Sequence, residues 1–252
     1  MGGADEIVAG DLEDPASLRA ALAGVDAVLH LAAVTHARRA RDYDAVNVDG
    51  TRALVEATPT DVKRFVFVSS RAVAREGGAY SRSKLAAEAV VRASGLPWVT
   101  VRLPEVYGAG KSEGVDDIIR RVRSGAAIPV VGRGDQEVCP VYVDDALGAV
   151  VAALSSPVVR KTYTLSGECM TVRAFAARAS DAAGTRSRVV RIPRAAVATG
   201  GMLARFLPLP LYPDQLARLE ARKPDSEGDA AADLGFEARP LEAALRTDRA
   251  VS

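Results

Sequence analysis

Residues 64–84 read RFVFVSSRAVAREGGAYSRSK, and this stretch decides the fold. Arg64–Ser69 is an almost continuous apolar run, the pattern of a strand covered on both faces. A loop follows the Ser69-Ser70 pair, and Tyr80 leads into a helix predicted over Ser81–Ser94. The same alternation repeats on either side. Ala27–Ala33 (AVLHLAA) reads as a buried strand, Tyr43–Thr58 as a helix, and Trp98–Leu103 (WVTVRL) as a strand after Gly95-Leu-Pro. Further upstream, Glu6–Ala9 is a short apolar run. Asp14-Pro15 then starts a helix, with Asp as N-cap and Pro at the first helical position. Apolar strands separated by amphipathic helices predict an α/β chain built on a parallel sheet with helices on both faces.

After Tyr107 the texture changes. Gly108, Gly110 and Gly114 mark a loop, and Val115–Ser124 reads as a helix. Ile128–Val131 and Glu137–Val143 read as short strands around the turn at Gly132–Gly134. Ala146–Leu154 is helical, Thr162–Ser166 a strand, Val172–Ala183 a helix, Arg188–Ile192 a strand and Leu241–Leu245 a last helix. The chain divides near residue 108 into a core over 1–107 and a smaller lobe over 108–252, whose later elements return to the core.

Composition narrows the function classes. Of 252 residues, 48% are hydrophobic and 26% charged, enough to bury a core and too ordered a mixture for a disordered chain. Lys+Arg 33 against Asp+Glu 32 gives a formal charge of +1, so neither nucleic acid nor an anionic membrane is an expected partner. Even the most apolar stretch, Gly200–Tyr212, is broken by Arg205, Pro208 and Pro210. With no signal-peptide pattern at Met1, the expected location is the cytoplasm. Cys139 and Cys169 are then expected as small buried thiols rather than a disulfide or a metal pair. His30 and His36 lack a ligand spacing, so no metal is expected. Asp116-Asp117 and Asp144-Asp145 read as first-turn helix charges, Arg120, Arg121 and Arg123 as a solvated helix face, and Trp98 as core.

The chemistry centres on Tyr80 and Lys84. Spaced i and i+4 on a helix, they share one face, one turn apart. A phenol of ordinary pKa near 10 is a poor base at neutral pH, and an ammonium one turn away favours its phenolate. A serine at the C-terminal end of a parallel strand is placed to hold the same substrate oxygen, because open α/β sheets bind ligands there. Alone the spacing is a weak motif. The order strand, Ser-Ser, loop, Tyr-x-x-x-Lys, helix strengthens it.

Six ordered blocks resemble the extended short-chain dehydrogenase/reductases, the NAD-dependent epimerase/dehydratase group. Gly10-Asp11-Leu12 is similar to the end of that family's third strand, which implies that Asp11 and Leu12 meet the adenine. Val25–Ala33 resembles the fourth-strand motif, implying that Leu31, Ala32 and Ala33 run beside the ribose and pyrophosphate. Asn47-Val-Asp-Gly-Thr51 matches a helix block that puts Asn47 near the cofactor. Phe67-Val-Ser-Ser70 matches the strand that presents the catalytic serine, here Ser70, with Ser69 among the cofactor contacts. Arg102–Gly108 (RLPEVYG) places Pro104 beside the nicotinamide, and Val143-Asp-Asp-Ala146 matches a turn that opens a late helix. The likeness spans about residues 6–185, with a looser echo in Asp233-Leu-Gly-Phe236 and at Pro240.

The resemblance implies a Rossmann-like doubly wound parallel sheet with a smaller C-terminal substrate lobe. It implies Tyr80 as acid/base, Lys84 as its electrostatic partner and clamp on the nicotinamide ribose, and Ser70 as donor to the reacting oxygen. NAD or NADP would be the cofactor, a small molecule the substrate, and a homodimer through the helices at Tyr43–Thr58 and Ser81–Ser94 a possible assembly. Two substrate contacts, Glu105 and Arg133, depart from the sugar-nucleotide pattern. Glu105 stands where those members often place Asn, and Val138-Cys139-Pro140 stands where they place an Arg on the diphosphate, with Arg133 the nearest cation. These changes oppose a diphosphate and favour a plain carbonyl or hydroxyl substrate.

The family's opening strand, GxxGxxG turn and helix have no counterpart here. Gly2-Gly3 follow no strand, and the residue that selects NAD or NADP is absent. An N-terminally truncated sheet is therefore expected, open between the family's third and fourth strands, with dinucleotide held poorly. Three accounts stay open: a longer protein, a degenerate remnant, or a sheet completed by another copy or partner. A catalytically inactive remnant or a non-enzymatic nucleotide- or protein-binding domain is the alternative to an enzyme.

Overall fold

The computed structural model describes residues 6–108, 114–195, 217–218 and 221–249. Gly2-Gly3, Gly110 and Gly200–Tyr212 of the sequence reading lie outside them. In chain order the core contains α1 (Pro15–Ala21), β1 (Ala27–His30), α2 (Ala40–Tyr43), a π-helical segment (Asp44–Asp49), α3 (Gly50–Ala57), β2 (Arg64–Ser70), α4 (Gly78–Ala93) and β3 (Trp98–Leu103). Then come β4 (Val106–Tyr107), α5 (Gly114–Arg123), β5 (Ile128–Val131), β6 (Glu137–Val138), β7 (Val141–Tyr142) and α6 (Val143–Ser155). The last described elements are β8 (Lys161–Thr164), β9 (Met170–Thr171), α7 (Val172–Ala183), β10 (Val189–Ile192), α8 (Ala230–Leu234) and α9 (Leu241–Arg249).

The central sheet is parallel in the order β1-β2-β3-β8, with Phe65 beside Trp98 and Ser70 beside Leu103. Side chains of β2 alternate between its faces, as strand geometry requires. Phe65 and Phe67 pack with Leu54, Ala87, Val91 and Trp98 under α1, α3 and α4. Val66 joins Val99, Val101, Ala149, Val150 and Tyr163 under α6 and α8. Phe65, Val66 and Phe67 are fully buried, and each such side chain contributes roughly 1.5–3 kcal/mol relative to exposure in water. This two-sided burial is why the strand reads as a continuous apolar run.

α1 starts as expected: Asp14 is the N-cap, its carboxylate accepting the Ala16 N–H at 2.9 Å, with Pro15 in the first turn. Asp233, from the looser echo, accepts the Tyr163 hydroxyl at 2.8 Å and the Lys161 ammonium at 3.1 Å, fastening α8 to β8.

A second apolar cluster gathers Tyr107, Ile119, Ile128, Phe175 and Leu245 from β4, α5, β5, α7 and α9. Short strand pairs frame it: β4 with β7 and β5 with β10 in parallel, and β6 with β9 antiparallel. Gly108 sits at φ +88°, where a Cβ would fall 2.3 Å from the Tyr142 ring, so only glycine fits after Val106-Tyr107. The paired acids lie in first turns as expected, but Asp144 is not the N-cap its position suggested: Tyr142 holds that place in α6, with no side-chain cap. Asp116 accepts the Gly108 N–H at 2.9 Å, Asp117 pairs with Arg120 and Arg121 on its own helix, and Asp145 pairs with Arg239. Among the described residues no helix is long and apolar enough to cross a membrane.

Three expectations are corrected. Glu6–Ala9 forms no strand: Ile7 is 92% exposed and Val8 50%, and among the described residues β1 has a partner on one edge only. An apolar run becomes a strand only where a neighbour takes its backbone hydrogen bonds, and here none does. Glu137–Val143 is two strands and the start of α6, because Pro140 has no N–H to continue a ladder and the two halves pair with different strands. Cys139 and Cys169, expected as separate buried thiols, form a disulfide across a sequence separation of 30. Gly167 permits that approach, since a Cβ there would lie 2.0 Å from the Pro140 carbonyl oxygen.

Candidate active site

The C-terminal ends of β1 and β2 and the first turns of α4 bring the sequence candidates to one edge of the sheet. Ser69 and Ser70 end β2. Ser70 Oγ accepts the Ala72 N–H at 3.1 Å, fixing the turn out of the strand. Tyr80 and Lys84 are both buried on α4. Lys84 Nζ donates to the Val68 carbonyl at 2.9 Å and stands 4.2 Å from the Phe67 ring centroid, so the ammonium lies against β2 just short of Ser69. Burial brings its pKa down from 10.5 to about 8, with Glu88 pulling the other way. The Tyr80 ring meets the edge of Tyr43 at 5.9 Å, and the Arg218 guanidinium lies 4.8 Å from its centroid.

Asn47 is the junction between these parts. Its side-chain amide accepts the Val34 N–H at 2.8 Å, donates to the Val34 carbonyl at 3.0 Å and donates to Ser83 Oγ at 2.9 Å. It sits in the π-helical segment, whose wide turn re-aims a side chain inside an otherwise α-helical stretch. The residue expected near the cofactor thus ties the loop after β1 to the helix of Tyr80. His30 contacts Thr51 Oγ1 at 2.9 Å through Nε2, and burial, with Lys84 nearby, brings its pKa down to about 4. It is a packed, neutral group.

The remaining sequence candidates are spread more widely. Leu31 and Ala32 lie exposed after β1, Leu31 at 58%, and Ala33 is half-buried. Asp11 is exposed, its carboxylate accepting the Glu13 N–H at 2.9 Å, and Leu12 packs against the cluster under α1 and α3. Pro104 is half-buried between β3 and β4. Glu105 accepts the Cys139 N–H at 3.2 Å and faces Lys223, whose ammonium burial holds below its ordinary pKa. Arg133 is not brought to this edge: it projects into solvent from the turn after β5, 3.4 Å from Asp135.

Two residues here were given no role by the sequence reading, although Arg102 opens one of its matched blocks. Glu88 and Arg102 form a buried bidentate ion pair, at 2.9 Å (Nε to Oε1) and 2.7 Å (Nη2 to Oε2), and Ser69 Oγ donates to the same carboxylate at 2.6 Å. Glu88 lies one turn beyond Lys84, so continuing the i, i+4 count from Tyr80 would have reached it. Arg102 Nη1 also donates to the Asp225 carbonyl at 3.3 Å, joining the cluster to the C-terminal segment. A cleft of about 780 Å³ opens past Arg71, lined also by Gln136, Glu137, Arg222 and Lys223. Ser70, Tyr80 and Lys84 do not line it.

Comparison with known proteins identifies the family and the fold. Residues 2–165 match the NAD dependent epimerase/dehydratase family. A ceramide reductase of Caulobacter vibrioides is 32% identical over 202 residues, covering 79% of this chain and 63% of the reductase. A 3 beta-hydroxysteroid dehydrogenase/Delta 5-->4-isomerase of Mycobacterium tuberculosis is 28% identical, covering 92% of this chain and 74% of that protein. The fold is similar to that of dTDP-glucose 4,6-dehydratase DesIV from Streptomyces venezuelae, solved with NAD bound. The TM-score is 0.75 at 22% identity, over 96% of this chain and 78% of that one. The chain spans less than two thirds of the length of the first curated relatives it matches, 63%, 58% and 52%. The Rossmann-like sheet, the ordered motifs and the family match agree: this chain belongs to the NAD-dependent epimerase/dehydratase family.

Proposed function

We propose that this chain carries the acid/base half of an NAD(P)-dependent oxidation, reduction or epimerisation at a hydroxyl- or carbonyl-bearing carbon. The observation that carries the reading is Lys84, an ammonium buried one helical turn from Tyr80 and held against the strand that ends in Ser70. In the reductive direction the Tyr80 phenol gives its proton to the substrate oxygen as carbonyl becomes hydroxyl, and in the oxidative direction it takes that proton back. Lys84 stabilises the phenolate, and Ser70 Oγ holds the oxygen.

The residues present fit part of a dinucleotide, with exposed groups after β1 and an ammonium that keeps unused donors. Leu31 is left bare at the C-terminal end of β1, where open parallel sheets bind ligands, and Asp11 is also exposed. Among the described residues one of the three Lys84 N–H groups is engaged, by Val68, which leaves donors for ribose hydroxyls. Asn47 and Ser69 are buried and engaged by Val34, Ser83 and Glu88, so they would support the cofactor's bed from beneath, and half-buried Pro104 would border it. A nicotinamide held there would supply the hydride chemistry. For substrate we favour a carbonyl or hydroxyl compound without a nucleotide diphosphate. Glu105 and the apolar Val138-Cys139-Pro140 run disfavour phosphates, and two relatives carry the names of a ceramide reductase and a hydroxysteroid dehydrogenase/isomerase.

A non-catalytic binding role draws support from one observation, that Ser70, Tyr80 and Lys84 lie off the 780 Å³ cleft. The two readings part in a single experiment. NADH and NADPH are titrated into the chain by nicotinamide fluorescence, and reduction of a panel of aliphatic and cyclic ketones is then assayed. The enzyme reading expects saturable though weak binding and measurable turnover. Tyr80→Phe then lowers turnover about 10³-fold while leaving cofactor affinity within about threefold. Turnover that survives Tyr80→Phe removes the acid/base role, and absence of saturable binding leaves the non-catalytic role for this chain.

A further inference from the structure

The C-terminal segment adds a cation to the site that no sequence motif announces. The Arg218 guanidinium lies 4.8 Å from the centroid of the Tyr80 ring, close enough for a cation–π contact. Its backbone is fastened in place: the Ala221 N–H bonds the Ala217 carbonyl at 3.0 Å, and Lys223 Nζ donates to the Arg218 carbonyl. Further along, Asp225 accepts from Arg102, and the N–H groups of Glu227 and Gly228 both reach the Thr162 carbonyl at 3.1 Å. Arg102 is the guanidinium paired with Glu88 on α4, so the segment carrying Arg218 and the helix carrying Tyr80 are locked to one buried cluster.

We propose that Arg218 is a positioning residue for Tyr80, a second cation that with Lys84 favours the phenolate and fixes the plane of the ring. A positive charge over an aromatic face is attracted by the ring quadrupole, and more strongly once the ring bears a full negative charge. Tyr80 meets Tyr43 from α2 and Arg218 from the C-terminal segment, and Lys84 follows it one turn on along α4. Lys84 in turn feels His30 on β1 and Glu88 on α4, and Arg218 feels Lys223. Among the described residues, the Arg218 guanidinium meets the Tyr80 ring, while Lys84 and Glu88 follow one and two turns along α4. The consequence for turnover rests on the proposed function, whereas the titration of Tyr80 does not.

The test is a pH titration of the near-ultraviolet phenolate absorbance of the full chain. Subtracting the same titration of Tyr80→Phe isolates the Tyr80 increment from the other tyrosines. Arg218→Met is expected to raise the midpoint of that increment by about half a pH unit, the size of an exposed cation–π contact. Arg218→Lys, which keeps the charge and loses the planar stack, should raise it by less than half as much, and Lys84→Met sets the scale for the other cation. A midpoint unmoved in Arg218→Met, or moved as far in Arg218→Lys, overturns the proposal. If Tyr80→Phe keeps its turnover while Arg218→Met still shifts the midpoint, the catalytic reading fails and this one stands.

Discussion

Lys84 is held at an energetic disadvantage. Lowering its pKa from 10.5 to about 8 corresponds to a net cost of roughly 3 kcal/mol for keeping it charged in the fold, the attraction of Glu88 already counted. Between pH 8 and 10.5 the unfolded chain holds this proton and the folded chain has released it, so stability rises with pH across that window. Below about pH 8 both states carry the charge and the full penalty remains. Lys84→Met should therefore raise the unfolding free energy at pH 7 by about 1–2 kcal/mol and abolish the alkaline rise. Urea denaturation at a series of pH values measures both. A variant less stable at pH 7, beside a parent with no rise, would show that the lysine is structural.

Among elements, the wall formed by β6, β7 and the turn before β9 depends on a covalent link. Cys139 is buried and Cys169 exposed, and the disulfide closes a separation of 30 residues while Gly167 N–H reaches the Cys139 carbonyl at 3.1 Å. Loop-closure entropy for that separation gives about 3–4 kcal/mol, so the Cys139→Ser, Cys169→Ser double variant should unfold at a clearly lower urea midpoint. A reductant should lower the parent to the same value and leave the variant unchanged, and a parent indifferent to reductant would mean that the link does not form in solution. The sequence reading set this pair aside because two cysteines make no framework or CxxC motif and a reducing compartment was expected, and nothing local signals a partner 30 residues away. It succeeded where structure is local. Trp98–Leu103 and Val172–Ala183 have the predicted bounds, since hydrophobic period and flanking turn residues determine them. The Asp14-Pro15 start is a property of adjacent residues. The Tyr80–Lys84 face was legible as helical spacing, whereas the Glu88–Arg102 pair and the Arg218 contact exist only once α4, β3 and the C-terminal segment have met.

At the scale of the whole molecule, the surface carries apolar side chains that its core does not use. Ile7, Val8 and Leu31 are exposed near the start of the described chain and after β1, and Leu147 and Val151 stand out from α6 one turn apart. Single exposed apolar residues are ordinary, but here they accompany a β1 edge whose backbone groups have no strand partner among the described residues. Such an edge and such a helix stripe favour association of copies or binding of another chain. Leu147→Lys with Val151→Lys should cost less than about 0.5 kcal/mol each, because both side chains already meet water, while Val150→Lys on the same helix should unfold the domain by burying a charge. Light scattering against concentration then decides what the stripe does. If the parent associates and the double lysine variant does not, α6 is a contact surface. If both associate equally, the open edge of β1 or the α3–α4 face suggested by family likeness is the place to look, and substitutions there separate the two. A parent that stays monomeric at every concentration would show that these exposed side chains drive no self-association.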